Sequence, residues 1–284
     1  MIGEVLQTVA QLGILAFVVT SMLATGTSLT IAQIIDPLRN ARLLIAMLLA
    51  NFVAVPALAF LITRILPMDT PASTTLILLG TMAGAPFLPK LAQAAKGDVA
   101  FSVGLMVLLM VVTIAYAPLV VPLLLEGADV AAWDIARPLL FMMLLPLGLA
   151  LFCRERYPDL AMGWSPELSR ISSTSLAIAL AAAAVIAYDE ILGAVGSEVF
   201  VGTLLLAAGS VGMGWCFVTG DGKVRSVAGL GTAQRNLAAA QLVAGTSFGG
   251  ETMVLTIAAS LALSVSLILL ASEMGKRAGR HATA

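Results

Sequence analysis

The stretch 99–125 reads VAFSVGLMVLLMVVTIAYAPLVVPLLL and contains no charged residue. A run of that length and apolarity is long enough to cross a bilayer as a helix, and runs like it recur from one end of the chain to the other. Inside hydrocarbon only helices and closed barrels satisfy their own backbone groups. Hydrophobic residues make up 60% of the 284 and charged residues 11%, with mean hydropathy +1.03. That is too little charge to cover a soluble domain of this size. The expected fold class is an all-α polytopic membrane protein, placed in the cell (inner) membrane.

Cutting at clusters of charge and turn residues gives about nine spans, at 5–28, 41–66, 72–95, 99–125, 135–153, 168–188, 195–219, 223–248 and 250–274. The connections are short, so 1–284 reads as a single transmembrane domain. One side of this arrangement gathers Arg39, Arg42, Lys90, Lys96, Arg154, Arg156, Arg170, Lys223, Arg225, Lys276, Arg277 and Arg280. The other holds only Arg64 and Arg137, among acids such as Glu4, Asp69, Glu126, Asp129, Asp189, Glu190 and Glu251. By the positive-inside rule the C-terminus is expected in the cytoplasm and the N-terminus outside. Glu4 and the lack of a basic leader favour a first segment that stays in the membrane over one that is cleaved.

Two spans differ from the rest. The third carries Gly84, Pro86 and Pro89 in its middle, and the eighth carries Gly229 and Gly231 just ahead of Arg235 and Asn236. Interrupted hydrophobic segments at matching places in two halves point to a transporter site. Spans 1–4 and 6–9 are therefore candidates for an inverted repeat, with span 5 unmatched.

Arg235 lies about 15 Å along the helix axis from Arg225, near mid-membrane, and no transmembrane carboxylate is available to pair with it. Holding a guanidinium there costs roughly 2.5–3.5 kcal/mol on insertion scales. Two readings remain open for it: a cap on the carbonyls of an interrupted helix, or a fixed positive charge for an anion or for conformational coupling. Gln234, Asn236 and Gln241 cluster around it. Lys90 follows Pro89 near the cytoplasmic end of its span, where it can snorkel; a proton could couple through it if the side chain is buried. Asn51 is an isolated amide that serves either helix packing or a site. Ser102, Thr113 and Tyr116 are hydroxyls that line the same region or bond back to their own helix.

Enzyme chemistry finds no support. The single His281 lies in the tail, Cys153 and Cys216 lack metal-ligand spacing and are expected to be buried and inert, and there is no phosphate-binding loop or basic nucleic-acid stripe. No cofactor, metal or nucleic acid is expected. The expected partners are a small organic anion and membrane lipid, and the oligomeric state is not legible.

Four stretches, GTSLT (26–30), NFVAVPALAFLI (51–62), AKGDVAFSV (95–103) and RNLAAAQLVA (235–244), resemble the bile acid:sodium symporter family in its divergent bacterial branch, in the family's order. The resemblance implies nine or ten helices, an inverted repeat of five, and a core in which two broken helices cross beside a flatter panel. This chain looks like the nine-helix form lacking the first helix, which implies residues 5–134 as a first, incomplete repeat and 135–284 as the second. Sodium-coupled members carry a Ser-Asn type pair in the first broken helix and a Glu-x-Gly-x-Gln-Asn type motif in the second. Here Leu88 and Pro89 stand at the first place, and Gly229 and Ala233 stand at the glutamate and glutamine of the second. Asn51 and Ser102 match polar positions of the family. The expectation is a secondary-active transporter of a small or amphipathic organic anion, working by alternating access and not coupled to sodium. Arg235, with Lys90 as a second candidate, would stand in for the missing cation. The alternatives are a sodium-dependent symporter with unrecognised ligands and a non-transporting membrane sensor or assembly protein.

Overall fold

The computed structural model describes residues 2–32, 39–125, 132–186 and 196–282. Glu126, Asp129, Asp189 and Glu190, used above to orient the chain, lie outside the described residues. Eleven helices are described. They are α1 (Ile2–Ser28), α2 (Ala41–Ile65), α3 (Thr70–Thr81), α4 (Leu88–Ala94), α5 (Val99–Leu124), α6 (Ala132–Leu139 continuing through Leu145–Arg156), α7 (Pro158–Ile186), α8 (Glu198–Phe217), α9 (Gly222–Ala233), α10 (Leu237–Val243) and α11 (Gly250–Ala282). Six stretches, on α1, α2, α5, α6, α8 and α11, are long and apolar enough to cross a membrane.

Helix starts follow local chemistry. Asp69, Asp98 and Asn40 each turn a side-chain oxygen onto the backbone N–H three residues on, at 2.8, 2.9 and 3.1 Å, meeting donors that a first turn leaves without partners. Two expected boundaries move. The sixth span begins at Pro158, ten residues earlier than 168, and α11 runs on to Ala282 past 274. The charges that suggested an edge there, Asp159, Glu167 and Arg170, sit on exposed helix surface, and Arg170 pairs with Glu167 at 3.0 Å.

The outer surface carries many large apolar side chains, and the largely apolar interior also holds buried polar groups. Ile65, Leu119, Leu123, Phe152 and Leu269 are exposed, while Asn51, Thr75, Thr232, Arg235 and Asn236 are buried. Cys153 and Cys216 also face outward rather than into the core, which suits small apolar side chains on a lipid-facing surface. Trp133, Tyr157 and Trp164 are exposed at or near helix ends, as at a membrane–water boundary.

Packing sorts the helices into two groups. α1 lies along α7 and α6, which also touch each other. α8 packs on α9, α11, α2 and α3, while α5 packs on α3, α4 and α9 and also on α6, which links the two groups. Close approach of α8 to α9 depends on Gly214, where a Cβ would collide with the carbonyl of Ala228. Thr75 and Thr256 bridge α3 and α11 at 3.2 Å.

In α2 the helix widens to an i→i+5 turn over Ala50–Ala54, just before Pro56. Proline has no N–H to give the carbonyl four residues back, which is that of Phe52. The Tyr116 hydroxyl on α5 donates to that carbonyl at 2.7 Å, and the Phe52 and Tyr116 rings meet tilted at 58° with centroids 4.8 Å apart. A backbone acceptor released by proline is thus met from a neighbouring helix.

Candidate functional site

Helix α3 ends at Thr81, where Met82 turns extended (φ −88°, ψ 95°), and Gly84 takes φ +80°. A side chain at Gly84 would collide with the backbone of Met110 on α5, so only glycine fits that turn. Thr113 on α5 holds the stretch: the Ala83 N–H donates to its Oγ1, which donates to the Ala83 carbonyl, both at 3.1 Å. Helix α9 ends at Ala233, and Gln234 is extended (φ −74°, ψ 106°). Asn236 then starts α10, its Oδ1 accepting from the Ala239 N–H at 3.1 Å.

The two connecting stretches, 82–87 and 234–236, meet. The Asn236 N–H donates to the Met82 carbonyl at 2.8 Å, and its Nδ2 donates to the Gly84 carbonyl at 3.2 Å. Residues more than 150 positions apart are thereby joined through backbone acceptors that no helix uses.

Arg235 sits at that meeting point and is completely buried. Its Nε donates to the Leu79 carbonyl at 2.8 Å, and Nη2 to the Gly80 carbonyl at 2.7 Å. Nη1 donates to the Thr232 carbonyl and to Asn51 Oδ1, each at 3.0 Å. The guanidinium's five N–H groups therefore make four bonds. Leu79 and Gly80 close α3, and Thr232 lies in the last turn of α9, where carbonyls lack helical partners and the helix dipole is negative. The Asn51 amide completes the set, steadied by Nδ2 donating to Met47 O at 2.9 Å and to Thr232 Oγ1 at 3.4 Å. A single positive charge is surrounded by neutral oxygens, the donor set that hard cations take from proteins.

Beside this knot lies a cavity of about 710 Å³, within the size range of small-molecule sites. Its walls come from both helix groups: Phe17, Ser21 and Thr25 of α1, Ser169, Ser172 and Ser173 of α7, Met106 of α5, Ser260 and Ser264 of α11, and the two connecting stretches. Gln234 and Gln241 lie on it. Lys90 also lines it, but is exposed, with Nζ 5.9 Å from the centre of the Phe87 ring.

The structure therefore unites some of the residues singled out in the sequence and separates others. Asn51, Arg235 and Asn236 form one buried assembly with the two connecting stretches, and Gln234 reaches from it to the cavity wall. Arg235 turns its N–H groups to carbonyls and an amide rather than to the cavity. Lys90 does not meet the burial that proton coupling through it required. Ser102 is buried but donates to Val99 O of its own helix at 2.6 Å and lies off the cavity wall. Thr113 and Tyr116 serve the backbone of other elements. Sequence reading missed the serines at 165, 169, 172 and 173 on α7, although their spacing of four, three and one places them on one helical face. Among the described residues no cluster of three or more His, Cys, Asp or Glu is placed to hold a metal.

A family model described as the sodium bile acid symporter family matches residues 14–194. The match includes Asn51, Lys90 and Ser102 and ends before Arg235. No curated protein matches the chain.

Proposed function

The chain belongs to the sodium bile acid symporter family, and on that premise we propose that it moves a small or amphipathic organic anion by alternating access without sodium coupling. Membership implies a membrane transporter of bile acids or organic anions, the six long apolar helices suit a multi-pass chain, and a non-enzymatic role is consistent with both. The finer reading rests on one observation: the buried guanidinium of Arg235, held by the carbonyls of Leu79, Gly80 and Thr232 and by Asn51. Half-helix C-termini and unwound carbonyls are the groups with which secondary transporters bind coupling cations. A cation covalently tied to the chain cannot leave, so it neutralises those oxygens in every conformation that keeps the knot. Adding sodium would place a second charge beside the first, which Coulomb repulsion opposes.

In this reading α3 with α4, and α9 with α10, are the two broken crossing helices. The crossings number nine, the N-terminus is external, the C-terminus is cytoplasmic, and the repeats are 5–134 and 135–284. The organic anion occupies the cavity between the helix groups, with Gln234 on its wall and Lys90 at its edge. Arg235, Asn51 and Asn236 act as the fixed substitute for coupling ions. Ser102 supports α5 and takes no part.

The test is uptake of labelled organic acids into liposomes holding the purified chain, with sodium replaced by choline at constant ionic strength. Equal uptake in both salts supports the reading. A saturable sodium requirement returns the chain to sodium-dependent symport, and no uptake of any acid favours a non-transporting membrane role.

A further inference from the structure

We propose that Gln234 and Ser260 form a donor-reading subsite in the cavity, which selects organic anions carrying a hydroxyl or N–H group over unsubstituted acids of the same shape. The proposal rests on the organic-anion reading above and assigns the chemistry of that cavity's occupant. Gln234 is 3% exposed and Ser260 2%; both line the cavity, and neither Gln234 Oε1 nor Ser260 Oγ has a hydrogen-bond partner. A buried polar atom without a partner is destabilising, so such atoms in residues on a cavity wall point to a partner that arrives with the occupant.

The orientation of the Gln234 amide is set by its neighbour. Nε2 donates to the Arg235 carbonyl at 3.4 Å, and turning the amide over would oppose two oxygens. The free atom is therefore the oxygen, which only accepts. A bare carboxylate has nothing to give it; a hydroxyl or amide N–H does.

Ser260 differs from three other hydroxyl residues of its own helix. On α11, Thr256, Ser266 and Ser272 each return their hydroxyl to the carbonyl four residues back, at 2.7, 2.7 and 2.8 Å, as hydroxyls in apolar helices ordinarily do. Ser260 does not, and its hydroxyl is left without a partner in a residue that lines the cavity. Ser210, the other unpartnered buried serine of the described residues, lies off the cavity wall. Lys90 offers its ammonium to the carboxylate of the same occupant from the cavity edge.

The experiment titrates the full purified chain in detergent with two matched pairs of acids, cholate against 5β-cholanate and 2-hydroxyisovalerate against isovalerate, reading thermal stability. Affinity ratios within each pair are compared between wild type, Gln234→Leu and Ser260→Ala, so that differences in bulk hydrophobicity cancel. The ratio favouring the hydroxylated acid in at least one pair should fall about tenfold in Gln234→Leu, and by a smaller factor in Ser260→Ala, with the unsubstituted acid little affected. Binding of the acids with ratios unchanged in both variants overturns the subsite and leaves the organic-anion reading intact. Binding of none of the four acids overturns both.

Discussion

Nη1 of Arg235 donates to Oδ1 of Asn51 at 3.0 Å, joining residues 184 positions apart inside the membrane core. One lies in the widened turn of α2 and the other between α9 and α10, so the bond ties two chain segments where their helical hydrogen bonding lapses. Replacing Asn51 by Leu removes the only side-chain oxygen in the set and leaves a further guanidinium N–H without a partner. The melting temperature should fall by several degrees, on the scale of about 1–3 kcal/mol for an unmet buried group. Asn51→Asp keeps the acceptor and makes it charge-assisted, so it should melt above Asn51→Leu. Fluorescence melts of the two variants in detergent check the order.

Gly84 should admit no substitution. Its φ of +80° and the Met110 backbone beside it exclude a side chain, so Gly84→Ala should lose most of the monodisperse peak in size-exclusion chromatography. Gly212→Ala on α8, where a Cβ meets nothing within 4 Å, should leave the peak unchanged. Equal behaviour of the two would remove the steric account of this turn.

Tyr116→Phe should lower the melting temperature modestly, by the equivalent of about 1 kcal/mol, because the Phe52 carbonyl released by Pro56 loses its donor. In Pro56→Ala the backbone N–H of residue 56 becomes available to that carbonyl, so Tyr116→Phe should cost less there. A double-mutant cycle measures the coupling; strict additivity would show that the hydroxyl does not answer the proline.

Much of this was written in the sequence in terms that simple physics reads. Long charge-free runs fix a helical membrane protein, and Gly84, Pro86 and the Gly229–Arg235 run mark where helices stop. The isolation of Arg235 from any transmembrane acid announced an unusual partner. What that partner is could not be read, because backbone carbonyls carry no signature in a sequence and their availability depends on where α3 and α9 end. Of the two readings of Arg235, the structure shows the cap on the carbonyls of interrupted helices, and its charge as a substitute for a coupling ion is the proposal built on that cap. Lys90 and Ser102 looked alike as polar groups near an interrupted segment, yet one faces outward at the cavity edge and the other bonds to its own turn. The cavity wall on α7 was legible as a serine stripe, but only α1, packed along it, makes that stripe part of a pocket.

The distribution of basic residues predicts which side each end faces. A reporter fused after Ala284 should be active in the cytoplasm, and one inserted at 127–130 should be active outside. Activity of both on the same side would break the nine-crossing arrangement.

The central claim is that Arg235 occupies, as a tethered cation, the place that an exchangeable one would otherwise fill. The most direct measurement is the melting temperature of the purified chain titrated with sodium against choline at constant ionic strength, in wild type and in Arg235→Ala. Wild type should show the same melting temperature in both salts, since an ion without a site cannot shift a population. Arg235→Ala, with the Leu79, Gly80 and Thr232 carbonyls and the Asn51 amide left without their donor, should melt lower and recover part of the loss as sodium or free guanidinium is added. A saturable stabilisation of the wild-type chain by sodium would contradict the account.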